Sequence, residues 1–121
     1  MRYVLTAFLV IFLMASAAYA IRGPAPKVEP IFHNGIKYTA PNDEGHRAYV
    51  VAWNASTNEK LWDVTIFNNR IDSSIEEDVQ WVFIEKMTLK NERLSILAEN
   101  GNRYSLDLKT KVVTGPIRRI F

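Results

Sequence analysis

Residues 81–108 read WVFIEKMTLKNERLSILAENGNRYSLDL, and their alternation of apolar and polar side chains decides the fold class. Three extended runs, 81–89, 93–99 and 103–108, are separated by Asn91-Glu92 and by Asn100-Gly101-Asn102, residue types that favour tight reversals. Side chains along a strand repeat every two residues, so a register one residue out mixes the two faces. A two-residue reversal at Asn100-Gly101 would mix them, setting Leu97 against Tyr104 and Ser95 against Leu106. The expected connection is therefore a three-residue loop, Asn100-Gly101-Asn102, with Ala98 opposite Tyr104, Ile96 opposite Leu106 and Leu94 opposite Leu108. A two-residue turn at Asn91-Glu92 is expected to set Leu89 against Leu94 and Met87 against Ile96. One apolar face then crosses a three-strand antiparallel meander.

Towards the N-terminus the same pattern continues. Residues 28–33 and 36–40 flank Asn34-Gly35, whose residues tolerate the positive φ of a type I′ hairpin turn. That turn is expected to oppose Ile31 to Tyr38 and His33 to Ile36, while Pro30, lacking an N–H, belongs on an edge strand or at a strand's entry. After the polar stretch Pro41-Asn42-Asp43-Glu44-Gly45, residues 48–53 and 60–67 form a second hairpin around 54–59. Tyr49, Val51 and Trp53 point one way and Ala48, Val50 and Ala52 the other, so this strand is expected to be central and covered on both faces. Residues 68–80 are irregular, with room for one short helical turn that Ser73 or Ser74 would cap ahead of Glu76-Glu77-Asp78. Past the meander, Val112-Val113-Thr114 suit a short edge strand before Gly115-Pro116 ends the order. The expected fold is all-β: an antiparallel meander of about seven or eight strands, forming two packed sheets or a small, partly closed barrel. It occupies residues 28–114, between an extended leader, 21–27, and a C-terminal tail, 115–121.

The first twenty residues have a separate character. Arg2 precedes an apolar run from residue 4 to 14, and Ala18-Tyr19-Ala20 supplies the small side chains of an A-x-A cleavage site. The apolar run falls short of the roughly 20 residues that span a bilayer, so a signal peptide cleaved after Ala20 is expected, with a periplasmic or secreted product. The chain of 121 residues has 48% apolar and 23% charged residues, no cysteine and a net charge of +2. An exported domain of about 100 residues without disulfides must rest on its apolar core. The small charge, with acids and bases interleaved, points away from nucleic acid, and no membrane association is expected after cleavage.

Ala52-Trp53-Asn54-Ala55-Ser56-Thr57-Asn58-Glu59-Lys60-Leu61-Trp62 resembles the repeat of quinoprotein β-propellers, roughly A-x-D-x-x-T-G-x-x-x-W. Ala52, Thr57 and Trp62 match; Asn54 stands at the Asp position and Asn58, tolerant of the left-handed region, at the Gly position. A partial copy over residues 104–113 keeps Asp107 and Thr110, has Lys111 for Gly and lacks the Trp. The resemblance implies blade-like four-stranded sheets. It carries no quinone site, because no positions here match one, and a chain of this length holds about two blades where closure needs about four.

No catalytic constellation stands out, and no cofactor or metal is expected. His33 and His46 are the only histidines, and a metal site would need them together with a carboxylate. Asp72, Glu76, Glu77 and Asp78 lack the spacing of a calcium loop. No Gly-rich phosphate loop occurs. The tripeptide Asn54-Ala55-Ser56 matches a glycosylation sequon, although a turn explains Asn54 better. Trp53 and Trp81 are candidates for a binding surface. The expected function is a non-enzymatic module that binds an unidentified protein or self-associates; the alternative is a small-molecule or carbohydrate-binding accessory, serving an exported oxidoreductase.

Overall fold

The computed structural model describes residues 23–117; the expected signal peptide, its cleavage site and the end of the tail lie outside the described residues. The described residues are all-β, with eight antiparallel strands in two four-stranded sheets that do not close into a barrel. The first sheet runs β1 (Ile31–His33), β2 (Ile36–Thr39), β3 (Arg47–Asn54) and β4 (Lys60–Asn68). The second runs β5 (Ile84–Lys90), β6 (Arg93–Ala98), β7 (Arg103–Asp107) and β8 (Val113–Ile117). Strand order follows chain order in both, so each sheet is a simple meander.

The hairpin turns set the registers. Asn34 and Gly35 have φ of 51° and 75°, and Ile31 pairs with Tyr38 and His33 with Ile36, as expected. Asn91 and Glu92 adopt the same handedness, and Leu89 faces Leu94 and Met87 faces Ile96. The β6–β7 connection differs from expectation by two residues: Ile96 pairs with Tyr104 and Leu94 with Leu106. The loop is Glu99-Asn100-Gly101, closed by Ala98 N–H donating to the Asn102 carbonyl and Gly101 N–H donating to the Ala98 carbonyl. A shift of two leaves every side chain on its own face, so the apolar pattern accepts either register. The left-handed position decides, and Gly101 at φ 89° occupies it.

One core joins the sheets. Tyr38, Ala48, Val50, Ala52 and Ile66 of the first share it with Ile84, Met87, Leu94, Ile96, Tyr104 and Leu106 of the second, and Phe67 stacks on Tyr104 with centroids 5.0 Å apart. Each fully buried Leu or Ile stabilises the fold by roughly 1.5–3 kcal/mol, which lets a domain without cysteine hold together.

Three expectations are corrected. β3 is central, between β2 and β4, but only its Ala48–Val50–Ala52 face meets another layer. On the other face Val51 is 4% exposed because it lies between half-buried Tyr49 and Trp53. The single helical turn is a 3₁₀ turn at Asp78–Gln80, with no side-chain cap; Ser74 instead donates its N–H and hydroxyl to Asp72 Oδ1. Order continues past Thr114, for β8 includes Gly115 and Pro116. It is an edge strand, where the missing proline N–H breaks no ladder bond.

Candidate functional site

The two copies of the turn motif form the same hydrogen-bond pattern. Asn54 Oδ1 accepts from the N–H of Ser56 (2.9 Å) and Thr57 (3.1 Å); Asp107 Oδ1 accepts from Lys109 (2.9 Å) and Thr110 (3.1 Å). Thr57 Oγ1 accepts from Glu59 N–H and Thr110 Oγ1 from Val112 N–H, each at 3.3 Å. Asn58 and Lys111 sit at φ 65° and 63°, their N–H groups donating to the Asn54 and Asp107 carbonyls. In each sheet the turn also reaches the first hairpin, through Ala55 N–H to the Gly35 carbonyl and Leu108 N–H to the Glu92 carbonyl. Lys111 thus takes the left-handed conformation without glycine, and its ammonium lies 5.2 Å from the Trp62 ring centroid, linking the copies. Trp62 faces inward beside Tyr38, and Ala52 is buried. The motif residues build the turns and the core beneath them.

Trp53 and Trp81 do not make one platform. Trp53 lies at the far end of β3, its Nε1–H donating to Thr39 Oγ1 at 2.9 Å. Trp81 lies against Gly45, ahead of the other end of that strand, and packs edge-on to Phe83. The run of β3 between the two places, six residues, spans about 20 Å. Trp81 lines a hollow of about 320 Å³ with Phe83, Asn42, Asp43 and Asp78, and its buried Nε1–H has no hydrogen-bond partner among the described residues.

Sequence reasoning missed two asparagines that hold this region together. Asn42 donates to the Pro26 and Ile84 carbonyls and accepts from Ile84 N–H; Asn69 donates to the Gly45 and Val82 carbonyls. Polar loop residues give no signal of such long-range bonds, although Asn42 at φ 50° is a conformation that Asn favours.

Each sheet has an outward face. On the first, Phe32 is 63% exposed, and Tyr49, Val51 and Trp53 run along β3. Arg47 stacks over the Tyr49 ring at 4.1 Å and lies 3.7 Å from Asp63, which also pairs with Lys60. Burial, then the hydrogen bond to Asp43 Oδ1 (2.6 Å), pushes the Tyr49 hydroxyl up to about 12. The Lys60 ammonium, foremost, holds the Asp63 carboxyl below its ordinary value. On the second sheet, Ser95 and Ser105 pair across β6 and β7 within a groove of about 330 Å³ that Lys90, Arg93 and Arg103 also line. Arg93 lies 3.6 Å from Asp107, whereas Lys90 and Arg103 form no ion pair among the described residues. The alternation of this face with the buried Leu94, Ile96, Tyr104 and Leu106 was readable, since its residues fall at every second position.

The histidines are apart. His33 Nε2 lies 2.9 Å from Glu92, across the two sheets, and His46 Nε2 lies 2.6 Å from Glu77. Among the described residues no group of three His, Asp or Glu side chains is placed to hold a metal, and no helix is long and apolar enough to cross a membrane. Compared with known protein families and with curated proteins, the chain matches none.

Proposed function

We propose that this chain is an exported, non-enzymatic β module that works by binding, engaging a protein partner or further copies of itself in the periplasm or outside the cell. One observation carries the reading: the outward face of the first sheet presents Phe32, Tyr49 and Trp53, and no strand or helix of the described residues lies over it. Aromatic side chains on an open face are what protein interfaces use as anchors. The nine-residue edge of β4 adds unpaired backbone groups that favour a partner strand. The paired turns support the likeness to quinoprotein repeats, and with it a blade-like unit too short to close alone. Crosslinking in the native host, followed by purification of the chain and identification of what is joined to it, tests the reading. It fails if the chain is recovered monomeric and joined to nothing.

The second reading is a small-molecule or carbohydrate-binding accessory of an exported oxidoreductase, and Trp81 favours it. Its indole lines a hollow with the carboxylates of Asp43 and Asp78, a combination suited to a hydroxyl-bearing ligand, while its unpartnered N–H is buried. Tryptophan fluorescence titrated with sugars and quinones should shift; a flat response discards this reading.

A further inference from the structure

We propose that copies of this chain assemble head to tail, the outward face of the first sheet in one copy seating on the outward face of the second sheet in the next. This deepens the self-association half of the function proposed above and rests on it.

The shared hydrogen-bond pattern aligns the sheets residue by residue. With Asn54 on Asp107, Trp53 corresponds to Leu106, Ala52 to Ser105 and Val51 to Tyr104. The bonds from Ala55 and Leu108 to the first hairpin turns likewise align β2 with β6, putting Tyr38 on Ser95 and Lys37 on Leu94. Corresponding residues then face opposite ways with respect to the core. Ala52 and Tyr38 point into it while Ser105 and Ser95 point out; Leu106, Leu94 and Tyr104 point into it while Trp53, Lys37 and Val51 point out. The sheets are therefore not arranged like face to like face. The Ala52 side of one meets the Leu106 side of the other, which is a heterologous contact. The sides left over, those of Trp53 and Ser105, are the same two sides again. Repeating the operation that relates the sheets brings them together between two copies.

The chemistry of these sides agrees. Inside the chain, Leu94, Ile96 and Leu106 of one sheet share a core with Ala48, Val50 and Ala52 on the central strand of the other, where Tyr38, Trp62 and Ile66 stand beside them. Outside, the face of the first sheet carries Phe32, Tyr49 and Trp53, and that of the second has a floor of Ser95 and Ser105 in its groove, into which such side chains can project. Lys90 and Arg103, which form no ion pair among the described residues, rim the serine face. The opposing face offers aromatic rings, which attract cations, and the carboxylates of Asp43 and Glu44 beside Arg47 and Tyr49. A heterologous contact closes into a ring or runs on as a filament. Rings of four to eight sheets correspond to two to four copies.

Sedimentation velocity on the chain in the form its own host produces tests this, with one variant per face: Trp53→Lys and Ser105→Arg. Should either lose its β circular dichroism, Phe32→Lys or Ser95→Arg replaces it. Wild type is expected to sediment as two or more copies and each variant alone as a monomer. An equimolar mixture of the two variants, each keeping one intact face, is expected to form dimers that grow no further. Three results overturn the proposal: a mixture that stays monomeric, a single-face variant that still dimerises, and a wild type that is monomeric at its highest soluble concentration. A monomeric wild type that crosslinks to one defined envelope protein sinks this assembly and leaves the binding function standing; a monomer joined to nothing sinks both.

Discussion

Asp107 and Asn54 hold equivalent backbone N–H groups, yet only the carboxylate titrates. The N–H groups of Thr110, foremost, and of Lys109 keep the Asp107 carboxyl below its ordinary value. A depressed folded-state pKa contributes stability that is present above the unfolded value, about 3.9, and is lost as pH falls through the folded one. Acid should therefore loosen the β7–β8 turn and spare the β3–β4 turn. Amide hydrogen exchange at Lys109 and Thr110 should rise relative to Ser56 and Thr57, and Asp107→Asn should abolish the difference. Gly45 presents a steric case. A β-carbon there would come within 2.2 Å of the Trp81 ring, so Gly45→Ala must displace the indole. The expected cost is about 1–3 kcal/mol, with a shift in tryptophan emission, measured by denaturant unfolding. The part Asp107 plays was legible as the Asp position of the motif, because its bonds reach only the next few residues; that of Gly45 was not, because it depends on Trp81, far away in the numbering.

Single hairpins show how far local pattern reaches. Asn34-Gly35 and Asn91-Glu92 each fix their register through two adjacent positive-φ residues, and both were legible from residue type. At Glu99-Asn100-Gly101 the apolar alternation was legible, but the register was not, since a shift of two preserves both faces. The side chain of Glu99, which accepts from Phe83 N–H, ties that loop to the start of β5, a contact no local pattern encodes. Removing one turn anchor tests what such an element contributes. Asn54→Ala deletes two bonds to backbone N–H groups and should cost about 1 kcal/mol without unfolding the sheet, by thermal or denaturant unfolding. On the adjoining face, Tyr49 gives an alkaline counterpart. Its pKa, raised from 10.0 to about 12, means stability that is intact below pH 10 and lost as pH rises towards 12. Ultraviolet titration should show a late-ionising tyrosine that Tyr49→Phe removes, leaving Tyr38, which burial also raises, to ionise late in the variant.

At the level of the molecule, the shared core makes the two sheets one cooperative unit. Leu94 is fully buried in it, so Leu94→Ala should cost about 2–5 kcal/mol. Tryptophan emission, reporting largely on Trp53 and Trp62 of the first sheet, should fall in the same transition as circular dichroism, even though the change is in the second sheet. Two separate transitions would show that the sheets fold independently. The all-β class, the strand count and most turns were determined by the sequence alone, because side-chain alternation and turn chemistry act over a few residues. Tertiary structure alone decided which apolar faces share a core, since β3 is apolar on both sides and only packing selects the Ala48–Val50–Ala52 side. It also decided that equivalent residues of the two sheets look in opposite directions. That relation is a rotation between distant segments, and no periodicity within either segment can express it.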